Sequence, residues 1–253
     1  MKLFRKIRQK ALDNGKFKNY LLYALGEITL IVIGILIAWK INDLNEIRKN
    51  KIVELKIYDG LYDELNLNLK VLNSAIAHYG DDIQRLEATV NYVGLTPEQL
   101  TSGAKDTIIH LAYKEVKLLD GALNSVISTT KFEIIDSDSL KKLITNYPTE
   151  VAHFEIEGLK VRETVKNLKP ILEKHLSLSD LLPAENEKYT AIKSFGKKSN
   201  YLNLLRDKAY QNTIISRLLH NENLLTLAKK LKNRTQIISI KLSRELGHPI
   251  AMF

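Results

Sequence analysis

An apolar run from Tyr20 to Trp39, YLLYALGEITLIVIGILIAW, constrains this chain more than any other stretch. As an α-helix its 20 residues cover roughly 30 Å at about 1.5 Å per residue, the thickness of a bilayer's hydrocarbon core. Tyr20 and Tyr23 at one end and Trp39 at the other match an interfacial aromatic belt, so these three are the expected membrane anchors. Residues 1–19 carry a net charge of +6, whereas the segment after the run, KINDLNEIRKN, mixes both signs. The positive-inside rule then puts the N-terminus in the cytoplasm and the remainder outside, which in a Gram-negative bacterium is the periplasm. A cleaved signal peptide shares the basic start and the apolar stretch. Here the run ends in Ala38-Trp39-Lys40, with no small-x-small cleavage site, and passes directly into a helical pattern. The expectation is a retained signal anchor, single-pass in the inner (cytoplasmic) membrane.

Three regions follow: residues 1–19, a basic cytoplasmic segment; 20–39, a transmembrane helix; and 40–253, an extracytoplasmic helical bundle. In the first, Leu3, Phe4, Ile7, Ala11 and Leu12 stand among basic residues, the pattern of a short amphipathic helix lying on anionic lipid. A plain topogenic flank accounts for the same pattern. The formal charge of +9 is unevenly spread: residues 20–192 carry −6 and residues 193–253 carry +9. The first basic block abuts the span and the last lies on an expected helix that complements the acidic middle. Nucleic-acid binding is therefore not expected, and neither RNP-like aromatics nor a helix-turn-helix points to it. With no cysteine, disulfides, cysteine-ligated zinc and thiol nucleophiles are excluded.

Beyond Trp39 the apolar residues recur with period 3.5. With a at Leu55, the a series is Ile41, Arg48, Leu55, Tyr62, Leu69, Ile76, Ile83 and Val90. The d series is Leu44, Lys51, Tyr58, Leu65, Leu72, Tyr79, Leu86 and Val93. Only Arg48 and Lys51 break the pattern, which predicts one long heptad-patterned helix. Ile52, Val53, Ile57, Leu61, Leu67 and Val71 widen the stripe beyond a two-stranded seam, so packing within a bundle is expected, with self-association left to the membrane-proximal part. Thr96-Pro97-Glu98-Gln99 has the form of a capping box with proline at N1, predicting a helix over about 98–129. An extended Phe132–Ile135 and a short helix Leu140–Tyr147 come next. Pro148 is expected to break that helix and open another over 149–176. A loop around Pro183 and one or two helices from Asn200 to Leu246, stopped by Gly247-His248-Pro249, complete the chain. The predicted class is all-α: a transmembrane helix continuing into an up-and-down helical bundle.

The opening FRKIRQKAL…GKFKNYLLYALGEITLIVIGILIAWKINDLNE resembles that of an uncharacterised family of single-span membrane proteins common in Bacteroidota. That family has a FRKIRQ-like start, YLLYAxGE, an apolar GILIA run and an N-x-x-N-E stretch. GALNSVISTTKFEIIDSDSLKKLITNYP resembles its second landmark. The resemblance is close over the first fifty residues and loose over most of the remainder. This chain has Trp39-Lys40 where others have Gln or Asn. The resemblance implies one span and a helical extracytoplasmic domain. It implies no activity, the family being a domain of unknown function.

No catalytic set emerges. The six histidines are scattered, without HExxH, and no G-x-S-x-G nucleophile elbow exists. FGKKS at Phe195–Ser199 is superficially like a phosphate loop, but Ala191 stands where the first glycine belongs and no strand is expected before it. Glu150-x-x-His153 and Glu245-x-x-His248 have di-metal spacing, yet the second sits at a helix end and neither has an evident partner glutamate. They are expected to be surface pairs, with no metal and no cofactor.

Glu27 carries more weight. A carboxylate inside a span costs about 2.5–3.5 kcal/mol on insertion scales, so such residues usually face protein or water. Extending the heptad backward places Tyr20, Glu27 and Gly34 at a, with Tyr23, Leu30 and Ile37 at d. Gly34-x-x-x-Ala38 adds a small-residue surface beside Glu27, and Gly26 adjoins it. Glu27, Gly26, Gly34 and Ala38 are the candidate contact or ion site. The alternative is a Glu27 that stays protonated or snorkels to the interface. The expected function is a non-enzymatic, membrane-anchored envelope protein whose helical domain binds or senses a partner and which assembles through its span. Its expected partners are membrane lipid and either copies of itself or another inner-membrane protein. The alternative is a subunit of an ion-conducting or ion-driven complex using Glu27.

Overall fold

The computed structural model describes residues 17–109, 113–183 and 187–248, with side chains from Leu21 onward. The amphipathic reading of residues 1–16 and the Tyr20 side chain therefore lie outside the described residues. The described chain is all-α and contains no strand. Its helices are α1 (Phe17–Asn91), α2 (Ser102–Ile108), α3 (Gly121–Ile127), α4 (Lys131–Ile134), α5 (Asp138–His175), α6 (Thr190–Phe195), α7 (Tyr201–Arg206) and α8 (Lys208–Leu246). Two compact units result, the first ending at Lys56 and the second, the helical unit, beginning at Ile57.

In the helical unit, α1, α5 and α8 pack lengthwise. Pairing of Glu150 with Arg234, Glu157 with His220 and His175 with Asp207 makes α5 and α8 antiparallel. Asn66 with Ser239, and Leu86 farther along α1 with Tyr210 and Ile214, make α1 and α8 antiparallel as well. The long heptad helix is present, but its deepest face is rotated. The d residues Tyr58, Leu65, Leu72, Tyr79 and Leu86 are buried, and so are the g residues Leu61, Asn68, Ala75, Asp82 and Thr89. At a, Leu69 is buried while Tyr62, Ile76, Ile83 and Val90 are half-buried. Hydrophobicity could not reveal this face, because three of its g residues are polar.

On α8 the strict 3–4 spacing does hold: Tyr210, Ile214, Arg217, Asn221, Leu224, Ala228, Leu231, Thr235, Ile238 and Leu242 are all buried. The apolar Ile215, Leu219 and Ile237 face solvent instead. α8 is entered through Asp207, whose side chain accepts from the Ala209 N–H at 2.8 Å. It ends at Gly247, whose φ of 68° is the left-handed conformation that glycine tolerates, letting the His248 N–H reach the Ser243 carbonyl at 2.9 Å.

Three expectations fail. α5 runs unbroken through Pro148 and Pro170. Proline removes one backbone hydrogen bond and costs about 3 kcal/mol in a helix interior. Tyr147 before Pro148 and Phe154 after it are buried two turns apart on one stripe, so tertiary packing holds the helix across the defect. Phe132 belongs to the single turn α4, and only Ile135 is extended.

The third failure is the helix over 98–129. The capping box forms, with the Thr96 N–H donating to Gln99 Oε1 at 2.9 Å, but it starts a single 3-10 turn, Pro97–Gln99. α2 follows, and residues 113–120 are non-helical before α3. Connectivity explains why. Ile108 packs in one cluster with Leu86, and Ala122 bonds Glu64, so this leg descends about 33 Å along α1 at 1.5 Å per residue. From Ile108 to Ala122 a helix would cover only about 21 Å. An extended stretch rises about 3.3 Å per residue and makes up the difference.

Extended backbone needs partners, and α1 supplies them. Asn68 Nδ2 donates to the Leu119 carbonyl at 2.7 Å, and the Leu119 N–H donates to Asn68 Oδ1 at 2.7 Å. Glu64 accepts from the N–H groups of Ala122 (2.6 Å) and Leu123 (3.1 Å), capping the N-terminus of α3 from another helix. Asn68→Ala should leave both Leu119 groups unpaired and cost about 1–3 kcal/mol. Amide hydrogen exchange should accelerate at Leu119, Ala122 and Leu123 while α8 amides stay protected; unchanged exchange at Leu119 would count against the clamp.

Candidate functional site

Within the first unit, α1 carries the apolar run with every large side chain outward. Leu30 is 72 % exposed, Leu22 65 % and Trp39 65 %, and the whole run is long and apolar enough to cross a membrane. Glu27 is also exposed and is the sole carboxylate between Leu21 and Trp39. Thr29 is satisfied internally, donating to the Leu25 carbonyl at 2.8 Å. After Trp39, Lys40 pairs with Asp43 at 3.0 Å in an exposed i,i+3 bridge of small energetic weight.

At about 3.6 residues per turn, Gly34 and Ala38 each lie within about 20° of Glu27 around the helix. These three share a face without any supercoil, and Tyr23 lies at its edge. Gly26 sits about 100° away, on a neighbouring face, so helical geometry joins three of the four candidate residues and sets the fourth apart. A Cβ at Gly26 or Gly34 would meet no atom, leaving both backbones open to close approach.

The helical unit holds a different arrangement: buried polar groups bridging the long helices. Glu157 on α5 accepts from Lys160 at 3.0 Å and lies 2.6 Å from His220 Nδ1 on α8. Burial works to raise the Glu157 pKa, but hydrogen bonds from His220, Lys160 and Asn223 outweigh it and hold the carboxyl below its ordinary 4.5. Tyr147 and Thr235 hydroxyls meet at 2.9 Å in the core. At the helix ends, Asp207 takes His175 Nε2 at 2.7 Å and Lys174 Nζ at 3.1 Å, and these contacts with the Ala209 N–H hold its carboxyl far below the usual range. Arg217 is buried on the g/d side of α1; burial lowers its pKa while nearby Asp82 and Tyr210 oppose that shift.

The two Glu-x-x-His pairs do not converge. Glu150 Oε1 is held by Arg234 at 3.0 Å, His153 is exposed, and His248 stacks edge-on against Tyr62 at 5.4 Å. No cluster of three or more His, Asp and Glu side chains with metal-ligating geometry occurs among the described residues. A groove of about 280 Å³ between α1 and α8 is lined by Thr89, Val90, Val93, Tyr210, Gln211, Ile214 and Ile215, with no acid, base or histidine among them. The residues that organise the unit, Glu64, Asn68, Glu157 and Arg217, were not singled out from sequence. On α8 the signal was present: Arg217, Asn221 and Thr235 fall in phase with Ile214, Leu224, Leu231 and Ile238.

The Glu157 contacts have a pH signature. Its pKa is depressed on folding, so its contribution is complete above about pH 4.5 and is lost as pH falls through the lower folded value. Glu157→Gln should lower the melting temperature at neutral pH and flatten its decline below pH 4.5. A variant whose melting profile parallels the parent across that range would contradict the assignment.

Comparison with known proteins yields no match to any family model, curated protein or solved structure.

Proposed function

We propose that this chain is a non-enzymatic, membrane-anchored envelope protein. Its apolar helix crosses the inner membrane with the basic N-terminus on the cytoplasmic side. The helical unit stands outside and binds or senses a partner, and the protein assembles through the Glu27–Gly34–Ala38 face. The resemblance of the first fifty residues to a single-span Bacteroidota family agrees with this topology.

One observation carries the proposal: a carboxylate shares an open, small-residue face of the apolar run of α1. In hydrocarbon an ionised Glu27 without a partner is disfavoured by about 2.5–3.5 kcal/mol. A single span offers no second helix to satisfy it, so a neighbouring helix in the membrane is the economical solution. Glycine and alanine on the same face let that helix approach closely, where van der Waals contact replaces the missing hydrophobic drive. The polar groups of the helical unit make structural contacts, which favours binding over catalysis.

Glu27 as the sole carboxylate of the run also favours the second reading, an ion-handling subunit. Crosslinking with mass spectrometry in native membranes, on the parent and Glu27→Gln, separates the two. The assembly role predicts crosslinks near the span that fall by about five- to thirtyfold in the variant, in line with loss of a 1–2 kcal/mol interhelical contact. Intact crosslinks with lost cellular function would favour ion handling, and a chain with no crosslinked neighbour would defeat both.

A further inference from the structure

Between the end of α5 and the start of α7 the chain makes an excursion from His175 to Asn200. Its base is tied three ways. The Asn200 N–H donates to the His175 carbonyl at 2.9 Å, the Ser177 N–H to Ser199 Oγ at 2.8 Å, and the Tyr201 hydroxyl to Asp180 Oδ2 at 2.7 Å. The outer part is α6, packed on the 3-10 turn Leu178–Leu181. At the end of α6 the Gly196 N–H donates to the Ile192 carbonyl at 2.9 Å, and a Cβ at Gly196 would run into that same oxygen. Close backbone approach therefore fixes how the preceding residue is presented.

That residue is Phe195, 90 % exposed, more than any large apolar side chain of the membrane run. Ile192 and Leu181 beside it are 51 % and 54 % exposed. Lys197 and Lys198 follow, both exposed, and Lys193 Nζ reaches the Pro183 carbonyl at 2.6 Å. Residues 190–200, TAIKSFGKKSN, contain three lysines and no acid. Of the acids nearby, Asp180 receives the Tyr201 hydroxyl and Glu187 lies on the preceding turn. FGKKS thus has a helix before it and an outward phenylalanine at its head, the opposite of a loop that wraps a phosphate.

We propose that this tip is a lipid-contact site, at which Phe195 and Ile192 enter the interface of an anionic bilayer while Lys197 and Lys198 meet lipid phosphates. A single exposed aromatic gains little against a folded protein unless that protein offers a matching pocket. A bilayer interface accepts the ring without shape complementarity, and lysine stems can lie along the apolar layer with their ammonium groups at the phosphates. The three lysines supply the electrostatic attraction that one or two apolar side chains need for reversible binding. All the residues belong to the helical unit, so the site does not depend on whether the apolar run of α1 spans a membrane.

The test uses the full chain carrying Trp39→Phe and Phe195→Trp, held in phosphatidylcholine nanodiscs and mixed with separate vesicles. The indole introduced at position 195 is then the only one in the protein. Vesicles containing phosphatidylglycerol should shift its emission to shorter wavelength, and pure phosphatidylcholine vesicles should shift it far less. Adding Lys197→Glu and Lys198→Glu should weaken the response by about tenfold or more. An unshifted spectrum with anionic vesicles overturns the proposal, as does an undiminished response after charge reversal. A soluble acidic peptide that shifts the emission as strongly as vesicles would overturn the lipid assignment. Failure of the span is read separately, as protein that does not co-migrate with the discs.

Discussion

Satisfaction of backbone polar groups governs this chain from Phe17 onward. A peptide group buried away from water without a partner costs about as much as a lost hydrogen bond. In α1 every interior peptide is paired within the helix, which is what a segment in hydrocarbon requires. In the helical unit the demand is harder to meet, because the leg that descends from Ile108 to Ala122 is too short to be helical throughout. Asn68 and Glu64 resolve it from the side of α1: one side chain pairs Leu119 as a neighbouring strand would, and the other caps α3. Placement of the descending leg, and with it the entry to α5, follows from those two polar residues.

The class of fold was legible because long helices announce themselves by period. The apolar run, the long helix through Leu86 and the glycine stop at Gly247 all appear in sequence as they appear in space. What was hidden has a common cause. The capping box and apolar residues predicted a helix over about 98–129, but the distance to be covered, a global property, left 113–120 non-helical. Pro148 looked like a break, yet buried Tyr147 and Phe154 on either side outweigh one lost hydrogen bond. Asn68, Asp82 and Thr89 went unread because polar residues carry no hydrophobic signal, even when they are buried in the packed face. The candidate face of the span was legible in part: one carboxylate in twenty apolar residues is conspicuous, and helical angles then separate Gly26 from Gly34 and Ala38.

The proposed anchoring in lipid accords with how charge and apolar exposure are distributed along the described chain. Among the described residues, the open face of Glu27 and the exposed Phe195 with Lys197 and Lys198 present chemistry outward. Inside the helical unit, charge is consumed in holding helices together: Glu157 with His220 and Lys160, Glu150 with Arg234, and Asp207 with His175.

The central claim is that the apolar stretch of α1 crosses a bilayer and carries the helical unit to its far side. Because the chain has no cysteine, single cysteines can be introduced at Lys6, Leu30 and the exposed Lys230 and probed with a membrane-impermeant maleimide. In intact spheroplasts the account predicts labelling at position 230 alone, with position 6 reacting only after lysis and position 30 protected in both. Labelling of positions 6 and 230 together in intact spheroplasts, or ready labelling at position 30, would contradict it.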